Sequence, residues 1–354
     1  MFRSVSLALT AALLAASGAA AEIAPSPAAK PVGAAPARKP APPADRAAAP
    51  LTAPLPEPVQ VAPLVVRPPA SIVVSVPAAP DAWRPLDAQN TLLIETDKGR
   101  IVVELRPEFA PQAVARIKRL ARSGVYDDLK FHRVVDGFVA QTGAPNKMDR
   151  GRSLEPDLPP EFTFRLGPET PRAQLARPQG ETQGFIGAQP YVAVDEGRMA
   201  TSPDHRVSAW GAFCSGVVAM SRDGAATGGD AGFFIMRGTT RSLDRQYSVV
   251  GRVVAGLDVV RALSAGDPPL QPSRMLRVRV MADVPEPQRP QVAVLNTLSP
   301  EFRALAEQVR DLRGADFSIC DVEAPVQITP PPAVAAEKPS KRQRRAASAA
   351  EPAA

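Results

Sequence analysis

Proline sets the limits of folding in this chain. Pro and Ala crowd residues 22–87 and return at 325–354, with scattered charges and no aromatic residue between Phe2 and Trp83. Proline fixes φ and lacks an N–H, and alanine offers little apolar surface, so neither stretch can offset its ordering entropy by burial. Residues 22–87 therefore read as an extended, semi-rigid tether, and 325–354, with Lys341, Arg342, Arg344 and Arg345, as a disordered basic tail. Folding is confined to the stretch between them, about 235 residues, enough for one sizeable domain or a domain with an appendage.

The N-terminus constrains location. Met1, Phe2 and Arg3 precede an apolar run at 5–16 that closes in Ala19, Ala20 and Ala21, the pattern of a secretory signal cleaved after Ala21. The run is too short to span a bilayer, and no later stretch reaches the eighteen or so apolar residues that a span needs. No cysteine near the cleavage site offers a lipid attachment point. The sequence thus predicts a soluble, periplasmic protein with no membrane span. The formal charge of +6 owes much to the flanking tails, a solvated basicity that does not call for nucleic acid.

Only two cysteines occur, Cys214 and Cys320, so no disulfide framework defines the fold. An oxidising compartment would allow them to pair and clip the C-terminal segment to the domain, but sequence leaves that open. The two histidines, His132 and His205, stand apart from any cluster with ligand spacing, and neither a metal site nor a cofactor is expected.

Within the foldable stretch, residues 91–96 and 100–105 are β-rich runs joined by Asp97, Lys98 and Gly99, a hairpin pattern. A helix follows: Pro111 begins it, Val114, Ile117, Leu120 and Ala121 mark one face, and Gly124 ends it. Residues 131–135 and 137–141 read as a strand pair or one bent strand. Further strands are expected at 216–220, 233–236, 248–254 and through Leu276, Val278 and Val280, with a short helix at 257–263. Many short strands with two helices predict a mainly β fold, a closed antiparallel barrel capped by helices.

Beyond the barrel, 290–320 offers a short strand at 292–295 and a helix that Ser299 caps, Pro300 starts and Gly314 stops. Phe302, Leu305, Val309 and Leu312 form its apolar stripe, and a final strand is expected at 317–322. The expected division is a domain at 88–283 and a small α/β appendage, strand-helix-strand, at 284–324.

Four blocks in order carry a family resemblance. Phe131-His132-Arg133-Val134 with Gly137-Phe138-Val139-Ala140-Gln141-Thr142-Gly143 resembles the cyclophilin signature strand. Gly216-Val217-Val218-Ala219-Met220 and Phe233-Phe234-Ile235 resemble the second and third blocks. Leu243-Asp244, Tyr247-Ser248-Val249-Val250-Gly251-Arg252-Val253 and Gly256-Leu257-Asp258-Val259-Val260 are similar to the fourth. The resemblance implies an eight-stranded barrel capped by two helices, an active groove on its outer surface, and peptidyl-prolyl cis/trans isomerase activity. A monomer acting on proline-containing peptides and unfolded exported proteins is expected.

Rotating an X-Pro bond breaks no covalent bond but loses amide resonance, with a barrier of about 18–20 kcal/mol. Catalysis needs a donor for the prolyl nitrogen of the twisted amide, a grip on the preceding carbonyl and a dry socket for the ring. The matched positions assign Arg133 as donor and Gln141 as carbonyl holder. Phe138, Val139, Phe234 and Leu243 form the socket, Tyr247 closes its wall, and the backbone at Ser221 and Arg222 contacts the peptide.

The departures bear on function. Ser242 stands where eukaryotic members carry tryptophan, which argues against strong cyclosporin binding, and Ala231-Gly232 replaces the usual Ser-Gln. Residues 146–210 are much longer than the family's connection; Glu161-Phe162 resembles part of it, and the rest reads as a surface insertion. These features keep a second reading in play, a catalytically weak binding module or chaperone of the envelope.

Overall fold

The computed structural model describes residues 79–329, except 144–154, 223, 225 and 226. The signal sequence, residues 22–78 of the tether and the tail from 330 onward lie outside the described residues.

An eight-stranded antiparallel sheet forms the body, in the order β14, β2, β3, β13, β11, β12, β5, β4. Its strands are β2 (Thr91–Thr96), β3 (Gly99–Leu105), β4 (Phe131–Val135), β5 (Val139–Thr142), β11 (Val217–Met220), β12 (Phe233–Met236), β13 (Val249–Ala255) and β14 (Met275–Val280). Side chains alternate between its faces. Leu92, Ile94, Ile101, Val103, Phe233, Ile235 and Val250 enter one core with Val114, Ile117 and Leu120 of helix α1 (Pro111–Arg122). Their neighbours Val139, Val217, Ala219, Phe234, Met236 and Val249 enter a second core on the opposite face. Burial on both faces explains why β11 and β12 read as unbroken apolar runs.

The expected closure is not complete. The sheet curls until its edges approach, but β14 and β4 share no ladder; a single bridge, Lys130 to Arg274, touches them at their starts. The second expected helix shortens to α2, Leu257–Arg261. Residues 131–141, left open as one strand or two, form two strands around a turn where Gly137 takes φ +67°.

Helix α1 starts at Pro111 behind Ala110, which has no capping side chain. Glu161 supplies the cap from 48 residues away: its carboxylate accepts from Gln112 N at 3.1 Å and Ala113 N at 2.9 Å. These are two of the orphan donors that every helix start must satisfy, and a negative charge there also meets the positive end of the helix dipole.

The insertion is more than a surface loop. It builds a five-stranded sheet in the order β6, β10, β9, β8, β7, from β6 (Phe164–Leu166), β7 (Ala173–Ala176), β8 (Glu181–Ile186), β9 (Gln189–Val194) and β10 (Val207–Gly211). Leu166, Phe185, Tyr191, Val192 and Trp210 join Phe234 and Met236 in the second core, so the inserted sheet covers the outer wall of the barrel. Its buried carboxylate, Glu196, is fully engaged by Arg172 at 2.7 Å, Tyr191 Oη at 2.7 Å and Gln174 Nε2 at 2.5 Å.

The appendage also departs from expectation at both ends. Residues 79–87, assigned to the tether, are folded: β1 (Trp83–Pro85) pairs with β15 (Gln291–Leu295), which pairs in turn with β16 (Val326–Thr329). β16 lies in the stretch read as tail, while the strand expected at 317–322 is a 3₁₀ turn, Ile319–Asp321, closed by a Ser318–Asp321 capping box. Pro325 ends one element without preventing the next, because β16 is an edge strand. Helix α3 (Pro300–Arg313) has the expected cap, Ser299 Oγ accepting from Phe302 N at 3.2 Å. Phe302, Leu305, Ala306 and Val309 are buried in the second core, but Leu312 is exposed. Cys214 and Cys320 form a disulfide, Cα–Cα 5.1 Å, fastening this unit to the barrel.

Two outcomes test these attachments. Replacing both cysteines by serine is expected to lower stability by about 2–4 kcal/mol, since the bond closes a 106-residue loop. Urea unfolding with and without reductant checks it: wild type under reductant should match the double variant. Glu161→Ala should cost about 1–2 kcal/mol through the lost helix cap, read by the same titration.

Candidate active site

A β-bulge aims the arginine. In β4, Phe131 pairs with Thr142, but the register slips so that Arg133 faces Gln141. Strict alternation from buried Phe131 would turn Arg133 inward; the slip at His132 instead lets Phe131 and Val134 both enter the barrel core and sends Arg133 outward. Gln141 is also directly opposite Phe234 on β12. Arg133, Gln141 and Phe234 thus form one row across three neighbouring strands on the outer face.

The apolar residues gather beside that row. Val139 and Phe234 belong to the second core, with Phe138, Leu243 and Tyr247 half-buried against it. The Arg133 guanidinium carbon lies 5.6 Å from the Phe138 ring centre, and Arg133 Nε donates to Asp267 Oδ2 at 2.9 Å. Phe234 and Tyr247 meet edge to face at 5.2 Å. Both rings also contact Phe213, each at 6.2 Å.

Ser221 and Arg222 follow the end of β11. The Ser221 N–H already donates to Gly232 O at 2.9 Å, so that backbone donor is turned into the sheet rather than toward a peptide. Arg222 contributes its side chain instead: Nε donates to Gln246 O at 3.1 Å, and the guanidinium lies between the rings of Tyr247 (4.7 Å) and Phe162 (5.5 Å). A Cβ at Gly232 would sit 2.3 Å from Ser221 Oγ, so a side chain there would need that hydroxyl to turn aside. Gly143 closes in from the other side, at φ +101° and with room for a Cβ only 2.4 Å from Gly232 Cα.

Several contributors escaped sequence reasoning. Asp244 ties the pocket loop together, accepting from Phe213 N at 2.9 Å, Arg241 Nε at 2.7 Å and Trp210 Nε1 at 3.3 Å. Phe213 adds a ring to the pocket wall, and Phe162 stacks with Arg222. Asp267 lies 134 residues from its partner. Asp244 carried a signal as the neighbour of Leu243 in a matched block, and Phe162 as part of the Glu161-Phe162 likeness; Phe213 and Asp267 come in solely through tertiary pairing.

A different cleft, of about 440 Å³, runs between β7 and α3 and is lined by Arg172, Gln174, Arg303, Glu307 and Arg310 among others. It shares no residue with the row above, and charged groups dominate it, which suits a proline ring poorly. The row with its aromatic margin is the better fit to a small apolar ring beside a polar amide.

The family model described as cyclophilin type peptidyl-prolyl cis-trans isomerase/CLD matches residues 91–280. A probable peptidyl-prolyl cis-trans isomerase of Brucella suis biovar 1 (strain 1330) is 30% identical over 213 residues, 56% of this chain and 85% of that protein. Peptidyl-prolyl cis-trans isomerase B of Bacillus subtilis (strain 168) is 30% identical over 171 residues, 48% of this chain and 87% of that one. The crystal structure of cyclophilin AquaCyp293 from Hirschia baltica superposes with a TM-score of 0.65 at 33% identity, covering 71% of this chain and 94% of that one. That share exceeds the span of residues 91–280, so the likeness reaches into the additions around the barrel. With more than half of its length under the family model and a bacterial cyclophilin superposing over nearly all of its own, this chain belongs to the cyclophilin-type peptidyl-prolyl cis-trans isomerases.

Proposed function

We propose that the isomerase activity of this chain is exercised at the outer row Arg133, Gln141 and Phe234, and that it serves polypeptides folding after export. The observation that carries the assignment is the register of that row, Arg133 opposite Gln141 and Gln141 opposite Phe234. Neighbouring strands lie about 4.8 Å apart, so the row spans about 10 Å, the length of roughly three extended residues. One substrate segment centred on an X-Pro bond can therefore touch all three groups at once.

In the planar ground state the prolyl nitrogen shares its lone pair with the carbonyl. As the bond twists, the lone pair returns to nitrogen and becomes an acceptor. A guanidinium N–H from Arg133 then gains a hydrogen bond that the ground state does not offer, which is the differential binding that lowers a barrier. Gln141 holds the carbonyl before proline, so one end of the bond stays fixed while the other turns. Phe138, Val139, Phe234 and Leu243 receive the ring, with Tyr247 as the wall, and exclusion of water favours the less polar twisted amide. Uncatalysed exchange takes tens of seconds or more, so a turnover near ~10³ per second asks for roughly 7 kcal/mol.

Export is supported by the signal pattern at residues 1–21 and by the Cys214–Cys320 disulfide, a bond that persists in oxidising compartments. Among the described residues no helix is long and apolar enough to cross a membrane. The Pro/Ala-rich stretch before the domain would then act as a spacer.

In a coupled assay on an Ala-Pro peptide, Arg133→Ala is expected to lower kcat/KM by at least roughly tenfold, a loss of about 1.4 kcal/mol of transition-state stabilisation. Its circular dichroism should stay unchanged, and full activity would remove Arg133 from the mechanism. For export, mass spectrometry of the periplasmic fraction should find a mature chain beginning at Glu22. An intact N-terminus confined to the cytoplasm would count against it.

A further inference from the structure

The reading of Arg133 as the donor leaves open what holds a long, half-exposed side chain in place. We infer that Asp267 is a positioning residue for Arg133, an inference that rests on that reading. The Asp267 carboxylate accepts from Nε at 2.9 Å, while the guanidinium lies over the Phe138 ring at 5.6 Å to its centre. One contact fixes an edge of the group and the other its plane. Using Nε for the anchor leaves both terminal nitrogens without another hydrogen-bond partner among the described residues, free to meet a substrate.

The loop that carries Asp267 is built to hold still. Gly266 and Val134 exchange two backbone hydrogen bonds of 2.8 Å each, which docks the loop onto β4 one residue past Arg133. At its base, Ser264 N donates to Ser273 Oγ at 3.0 Å, and Phe131 N donates to Ser273 O at 2.9 Å. The turn itself admits only glycine at 266, where φ is +147° and a Cβ would lie 2.4 Å from Pro269 Cα. Pro268 and Pro269 restrict the chain immediately after the carboxylate. The carboxylate is thus held at a fixed point relative to the very strand that bears the arginine.

Asp267 is 62% exposed and makes no other ion pair among the described residues, so its removal should leave the barrel intact. The test uses the full chain with Asp267→Ala and Asp267→Asn, each also in an Arg133→Ala background. Asp267→Ala is expected to lower kcat/KM about three- to fivefold, the range a half-exposed ion pair supports. The loss should fall on kcat with KM little changed, because the oriented donor acts in the transition state. Asp267→Asn should lie between, since its amide oxygen still accepts from Nε without the charge. In the Arg133→Ala background neither change should matter, and the melting temperature should stay at the wild-type value throughout. In nuclear magnetic resonance spectra the Arg133 Nε–H signal should shift on Asp267→Ala.

Wild-type or raised activity in Asp267→Ala, with Arg133→Ala impaired, overturns the inference. So does an equal loss in the Arg133→Ala background, which would mean that Asp267 acts elsewhere. Full activity in Arg133→Ala is a separate outcome, and it overturns the reading of Arg133 itself.

Discussion

The barrel wall is buried on both of its faces, and most of this structure follows from that constraint. A curled sheet shields its inner face by itself, with α1 closing it, but the outer face of β5, β12, β11 and β13 carries Val139, Phe234, Met236, Val217, Ala219 and Val249. Each of these side chains larger than alanine, if covered, contributes about 1.5–3 kcal/mol, so an uncovered wall would forfeit much of the domain's stability. The inserted sheet and α3 supply the cover. The proposed row adjoins that face, with Phe234 of the outer core directly opposite Gln141, which in turn faces Arg133.

Covering pieces drawn from distant parts of the chain need fixed points. Glu104 on β3 is one: nearly fully buried, it pairs with Arg84 of β1 at 2.8 Å and Arg106 at 3.2 Å, and accepts from Ala188 N of the inserted sheet at 3.0 Å. A buried carboxylate is tolerated only when it is paired and hydrogen-bonded, and here the partners come from β1, from just past the end of β3 and from the turn joining β8 to β9. The disulfide is a second fixed point, and Arg252 with Glu323 a third. Burial pulls the Arg252 pKa below its ordinary value while Glu323 opposes that shift. Glu161, capping α1 from within the long connection, is a fourth.

Much of the site was legible because its residue types are chemically demanding. An arginine, a glutamine and a set of apolar rings in four ordered blocks narrowed the choice, and the strand register sets three of those positions, Arg133, Gln141 and Phe234, in one row. What escaped was what only register or folding decides. The bulge at His132 is invisible in Phe-His-Arg-Val-Val, where either inward or outward arginine fits the composition. Asp267 has no pattern of its own, and Ser221 could not be known to give its N–H to Gly232.

By itself, the sequence determined which runs of the barrel become strands, where the helices α1 and α3 begin, and which chemistry the chain carries. These depend on local properties: proline content, apolar periodicity, capping residues and the identity of polar side chains. Tertiary structure alone decided that residues 83–85 and 326–329 join a common sheet, that the long connection is a wall covering rather than a loop, and that the barrel's edges meet at a single bridge. Those outcomes rest on hydrogen bonds and shared burial between residues tens to hundreds of positions apart. No local pattern encodes such partners, because each half of a pairing is as compatible with solvent or another strand as with the one it meets.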